Sequence, residues 1–450
     1  MADKVSKIDK NGVVTFYSTY NAARTASGNN PGDHDLIQIL ADLTEQIILK
    51  DKVDIWIMPG VVIDQDPSNP GETITDDNET VECTIYGYGV IKNTGSSSCI
   101  RVENPGSKLS VECDYIQNVN GVAVNISPSL KFHLKCNYVY SQNLQAIRIG
   151  KFAEPGMVEE VRLDVTKVET GDVNNSSTGT TALSTRGNGF VRIDEIICNN
   201  LGHCLSHQEG TITARIKKMT SIMNRSGGNV STVHLAANQG SAGQKLILYF
   251  DEINCFNGAT NNALCGIECT IGTGIFIGRR VYSEIISSLD GAAIQIGGAN
   301  TKGYLKCDNV TSLNHVALVL NDTNEQITID VNSIEFGGAA GIFSNGSVSN
   351  RGNFFIRNAK IKSMSQSTSA KGIFINNIYP IFTLNNLKII SGSDVNSNIF
   401  IGNNTIDVFN LGWFGNSGID QTKIIQKVGV GIDPMDLGYN YQTIIDPLLD

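Results

Sequence analysis

Leu109-Ser110-Val111-Glu112-Cys113, Phe132-His133-Leu134-Lys135-Cys136 and Val161-Arg162-Leu163-Asp164-Val165 each alternate apolar and polar residues. A period of two is the signature of a strand with one face on a core. The same alternation returns at Leu246 to Phe250 and at Ile327 to Val331. A companion strand of small and apolar residues recurs at Cys99 to Val102, Ala123 to Ile126, Ala146 to Ile149, Ala293 to Ile296 and Ala317 to Leu320, and begins again at Cys204. Spacings between equivalent points run from roughly 22 to 36 residues, the range in which one repeat makes one turn of a solenoid. No segment of the repeat shows the 3.6-residue period of a helix. The expected fold is therefore all-β, a parallel β-helix of about a dozen coils stacked at roughly 4.8 Å, or about 60 Å in length.

Composition agrees with this. The chain of 450 residues carries 45 glycines and only 10 prolines. Glycine and asparagine tolerate the left-handed backbone that frequent bends require, whereas proline removes a ladder donor. The formal charge of −10 and the lack of a basic stripe argue against nucleic acid as a partner. No run approaches the roughly 18 apolar residues of a membrane span. The N-terminal twenty residues contain no apolar signal core. Of the ten cysteines, Cys113, Cys136 and Cys307 share one strand position in different coils, as do Cys99 and Cys204; they replace Val, Phe and Leu there and read as small buried hydrophobes of a chain folded in a reducing cytoplasm.

Three regions follow. Residues 1–35 form an N-terminal cap or attachment segment, with Ser18 placed to cap a short helix from Thr19 to Ser27. A helix there would cover the open end of the first coil. Residues 36–415 form the β-helix, and 416–450 a C-terminal cap or attachment tail. Long insertions fall at Asp172 to Thr180 and at Asn224 to Thr232, between the second and third strands. Insertions in solenoids tend to emerge on one binding face.

The chemistry-bearing residues sort into columns. Just after the first strand come Asp114, Asn137, Thr166, Asp194, Lys217, Asp251, Ser283, Asp308, Asn332, Arg357, Asn385 and Asn410. Such residues mark a bend whose side chains bond nearby backbone and stack as a ladder. The next column faces solvent: Tyr115, Tyr138, Lys167, Glu195, Lys218, Glu252, Glu284, Asn309, Ser333, Asn358 and Asn386. Its charges alternate in sign until Glu252 meets Glu284. Two carboxylates in adjacent coils would lie about 5 Å apart, the separation of a retaining glycosidase, and their repulsion would raise one pKa. Glu252 and Glu284 are thus the catalytic candidates, with a solvated surface pair as the plainer alternative. Tyr115, Tyr138 and Tyr140 form a candidate aromatic step for sugar rings, or a row packed along the sheet. No metal or cofactor is expected: His203 and His207 are placed at a loop and a bend without a third ligand, and no phosphate loop or Ser-His-Asp spacing is present.

The alternating opening coils from Leu36 to Ile63, with Glu45-Gln-Ile-Ile-Leu-Lys-Asp-Lys-Val-Asp-Ile-Trp-Ile-Met-Pro-Gly60, resemble those of bacteriophage tail spikes and tail fibres with a pectate-lyase-like β-helix. The resemblance covers about residues 18 to 415 and is one of pattern. Gly202-His203-Cys204 and Arg215-Ile216-Lys217 are weakly similar to two polygalacturonase motifs, whose paired-Asp motifs this chain lacks. The resemblance implies a right-handed helix, a homotrimer, attachment to other tail proteins through the N-terminal end, and location in the virion tail after synthesis in the host cytoplasm. It implies a partner in host surface polysaccharide, bound or cleaved. A depolymerase on this scaffold and a purely structural rod are the competing expectations.

Overall fold

The computed structural model describes residues 3–27, 35–65, 71–77, 79–150, 156–172, 180–200, 202–223, 230–235, 243–257, 264–284, 291–321, 323, 325–345, 353–364, 371–375, 381–385, 387–390, 397–401, 408–412 and 426–427. The chain forms two compact units, Met1–Lys217 and Lys218–Asp450. Each is a β-solenoid of stacked parallel coils, with about 10 turns in all and one short helix. No helix among the described residues is long and apolar enough to cross a membrane.

The core of the first unit is a set of side-chain columns that follow directly from the alternation. Ile37, Ile55, Ile85, Val111, Leu134, Leu163 and Val191 stand in register on successive coils, and none is more than 2% exposed. Facing them, Ile47, Ile74, Ile100, Val124, Ile147, Leu183 and Leu205 form a second column, all at 0%. Burying each such side chain contributes about 1.5–3 kcal/mol. A one-residue slip would turn a whole strand's apolar set outward, which is why the register is well specified. The second unit repeats the scheme with Leu248, Phe276, Leu305, Ile329 and Ile356 and with Val233, Ile267, Ile294, Leu318, Ile342 and Ile373.

All ten cysteines are buried and unbridged, as their column positions indicate. The Cys113 and Cys136 sulfurs lie 3.7 Å apart in adjacent coils without a bond between them. Buried asparagines close the turns between strands. Asn118, 0% exposed, donates to the Ser97 and Val122 carbonyls at 2.7 and 3.1 Å, and its Oδ1 accepts the N–H groups of Asn120 and Gly121. Asn93 does the same work one coil earlier, donating to Gly71 and Ser98 and accepting from Gly95.

The N-terminal region departs from expectation. It contains a hairpin that the columns do not foretell: β1 (Val5–Ile8) and β2 (Val14–Tyr17) are antiparallel. β1 also pairs antiparallel with β3 (Asp35–Ile39), so a hairpin strand, rather than a helix alone, covers the edge of the first coil. The turn is fixed by Asp9, whose Oδ1 accepts the N–H groups of Asn11 and Val13 at 2.9 Å, and by Gly12 at φ +80°. The helix α1 spans Tyr20–Ala26 and is capped by Thr19, not Ser18. Thr19 Oγ1 accepts the Ala22 N–H at 3.2 Å, and the Glu45 carboxylate accepts the Tyr20 N–H at 2.7 Å. Tyr20 and Ala23 are buried, and the Tyr20 hydroxyl donates to the Ile48 carbonyl at 3.1 Å. The insertion segments 173–179 and 224–229, and all of the tail 416–450 except 426–427, lie outside the described residues.

Candidate functional site

Each coil of the first unit bends after its first strand, and the two outward positions beyond the bend form a face. In the Lys108–Asn118 strand these positions are Tyr115 and Gln117; in the Lys131–Ser141 strand they are Tyr138 and Tyr140. The Val158–Thr170 strand adds Lys167 opposite Tyr138 and Glu169 opposite Tyr140. The bend is held as expected, since Asn137 Nδ2 donates to Asp114 Oδ1 at 2.6 Å across adjacent coils. Asp308 and Asn332 make the same contact at 3.1 Å in the second unit. The side chains beyond each bend are therefore presented at fixed height and register.

The three tyrosines come together. The Tyr115 and Tyr138 ring centroids are 5.0 Å apart and tilted by 48°, and those of Tyr138 and Tyr140 are 6.2 Å apart. All three are half-buried. The Tyr138 hydroxyl donates to Glu169 Oε2 at 2.6 Å. Lys167 Nζ sits 5.1 Å from the Tyr138 ring centroid and 2.7 Å from Glu169 Oε2, a cation–π contact closed by an ion pair. Burial, then the Glu169 carboxylate, pushes the Tyr138 phenol well above its ordinary pKa. Burial pushes Tyr140 up to about 12 and raises Tyr115. These phenols stay protonated across the physiological range. The cluster presents tilted ring edges beside a cation that is paired with a carboxylate.

The carboxylate candidates do not come together. Glu252 stands opposite Arg280, and Glu284 opposite Phe256. Four positions along a strand separate the two registers, about 13 Å at 3.3 Å per residue. The expected 5 Å pair is therefore corrected: the bend of this coil falls at Arg279, not Ser283. The cause is Gly278. It occupies the core position opposite Phe250 and Cys307, and a Cβ there would meet the Phe250 ring at 2.3 Å. A glycine in a core column hid the end of the strand. Glu252 Oε2 lies 4.0 Å from Arg280 Nη2 and accepts from Asn254 Nδ2 at 3.4 Å, while Glu284 Oε2 accepts from the Tyr282 hydroxyl at 3.4 Å.

The columns drift again later. Arg357 stands opposite Asp330, with Nε to Oδ2 at 3.0 Å, rather than opposite Asn332. Lys360, rather than Asn358, continues the outward column from Ser333, and Asn386 lies outside the described residues.

His207 is also relocated. It lies on the Leu205–Glu209 strand, not at a bend, and is 0% exposed. Its Nε2 donates to the Gly210 carbonyl at 3.0 Å, so Nδ1 accepts from the Thr185 hydroxyl at 3.0 Å. His203 precedes that strand in a non-strand segment, whereas Arg215 lies on the next strand, Thr211–Met223, with its guanidinium 6.0 Å from the Phe190 ring centroid. Among the described residues no group of three His, Cys, Asp or Glu side chains is gathered closely enough to hold a metal ion. Comparison with protein-family models, with curated proteins and with solved structures finds no match to this chain.

Proposed function

We propose that the protein is a bacteriophage tail appendage, a tail spike or fibre, that contacts the host envelope by binding surface polysaccharide. The observation that carries the reading is the tyrosine step, Tyr115, Tyr138 and Tyr140, held in register on adjacent coils. A linear glycan laid along the stack of coils would meet aromatic edges first and then Lys167 and Glu169. Aromatic residues with few rotatable bonds give contact area at low entropic cost. The virion location, partners in other tail proteins and a homotrimeric state are part of the same reading and rest on the resemblance of the opening coils. Cleavage by Glu252 and Glu284 is not part of it, because the register holds them apart.

The test exposes purified protein to a panel of bacterial surface polysaccharides and records bound protein and newly released reducing ends together. Binding weakened by Tyr140→Ala supports the proposal. Equal binding by the variant removes the tyrosine face from it, and release of reducing ends would move the protein to the depolymerases.

A further inference from the structure

The same unit carries a cleft of about 520 Å³ on a different set of turns, lined by Glu103, Pro105, Pro128, Met157, Glu159 and Asn188 among others. Its volume lies within the roughly 300–1,000 Å³ of small-ligand sites. Pro105, Pro128 and Met157 supply apolar wall, and the polar groups have defined roles. Glu103 is held by Arg101, whose other guanidinium nitrogen is 2.5 Å from Glu72 Oε1. The turn behind it is rigid: Asp76, 0% exposed, accepts the backbone N–H groups of Glu103 and Asn104 at 3.1 and 2.9 Å. Asn188 Oδ1 accepts the Thr211 N–H at 2.9 Å, which leaves its Nδ2 as the donor. Glu159 is exposed and has no charged partner among the described residues.

We infer that this cleft holds one uncharged, hydroxyl-rich sugar residue of the polysaccharide, an inference that rests on the proposed glycan-binding function. The physical match is direct. A pyranose presents C–H groups on its faces and hydroxyls on its rim. Proline and methionine surfaces suit the faces, and carboxylates accept the hydroxyls through charge-assisted bonds. The charge balance selects the class. Arg101 faces both Glu72 and Glu103, and Glu159 adds a further negative charge on a chain of net −10. A uronate or other acidic sugar would be repelled.

The full-length protein labelled at its methionine methyl groups provides a local reporter, with the Met157 resonance identified in a Met157→Leu variant. Neutral oligosaccharides and uronate oligosaccharides are each titrated while overall affinity is followed by calorimetry. The inference expects neutral sugars to shift the Met157 methyl resonance. It also expects Glu159→Lys to weaken that response at least tenfold and the uronates to leave it unmoved. Saccharide binding that leaves Met157 unmoved, yet is lost in Tyr140→Ala, overturns the cleft and keeps the glycan reading. A response to uronates equal to that for neutral sugars overturns the ligand class. No binding of any saccharide overturns both.

Discussion

Glu252 and Arg280 stand directly opposite each other on neighbouring coils, Oε2 to Nη2 at 4.0 Å. Opposite charges in register form one rung of a surface ladder, and both side chains are more than 40% exposed. Such a rung contributes at most about 1 kcal/mol. Glu252→Gln and Glu284→Gln should each leave the unfolding midpoint nearly unchanged. Neither should alter the release of reducing ends from any polysaccharide. A loss of cleavage in either variant would restore the carboxylate as a catalytic group.

Gly278 and Phe250 are a size-matched pair in the second unit's core. Gly278→Val should destabilise the protein by about 1–3 kcal/mol through overpacking. Phe250→Ala alone should cost about 3–5 kcal/mol by leaving a cavity. The double variant should be more stable than the sum of the two losses, because the valine fills space that the ring vacates. Denaturant titration of the four proteins completes the cycle, and strict additivity would rule out the contact as the reason for the glycine.

Asn118 satisfies four backbone groups from one buried position. Asn118→Ala strands them in the interior, and each costs about 1–3 kcal/mol when left without a partner or water. A loss of at least 2 kcal/mol in chemical unfolding is expected. Asn120→Ala, at the exposed end of the same turn, provides the mild comparison.

The buried thiols make stability depend on alkaline pH. Burial pushes Cys255, Cys269 and Cys307 up to about 12 from an ordinary 9. Their folded pKa values are raised, so the stability they contribute is complete below pH 9 and is lost as pH rises from there towards 12. The unfolding midpoint should fall between pH 8.5 and pH 10.5, roughly where free thiols ionise. At neutral pH a thiol-reactive chromophore should label none of the ten cysteines until denaturant is added. Rapid labelling of the native protein would show that the coils open.

Tyr138→Phe removes only the hydroxyl that Glu169 accepts. The expected cost is about 1 kcal/mol of stability, with glycan binding retained because the ring remains. Tyr140→Ala should instead weaken binding by about tenfold, roughly 1.4 kcal/mol, with little change in unfolding. The reverse pattern would make the tyrosines packing residues.

The fold was legible because alternation with period two constrains every strand at once. Once Val111, Leu134 and Leu163 share a column, their flanking residues have no freedom of face. Tyr115 and Tyr138 could be placed together for the same reason, one position past a ladder of Asp114 and Asn137. The turn of the hairpin from Val5 to Tyr17 was also written in the chain, as Asn11-Gly12, a recognised turn signal. Its antiparallel pairing hides it from a search for repeats. What the chain could not announce depends on neighbours far away in sequence. Gly278 hides the end of its strand until Phe250, 28 residues earlier, is seen to fill the glycine's place. From that one substitution of volume between coils follow the partner of Glu252 and the separation of Glu284. The cleft beside Met157 is likewise assembled from turns of successive coils. Local pattern sets the face of a residue, whereas register between coils, set by packing volume, determines which side chains meet.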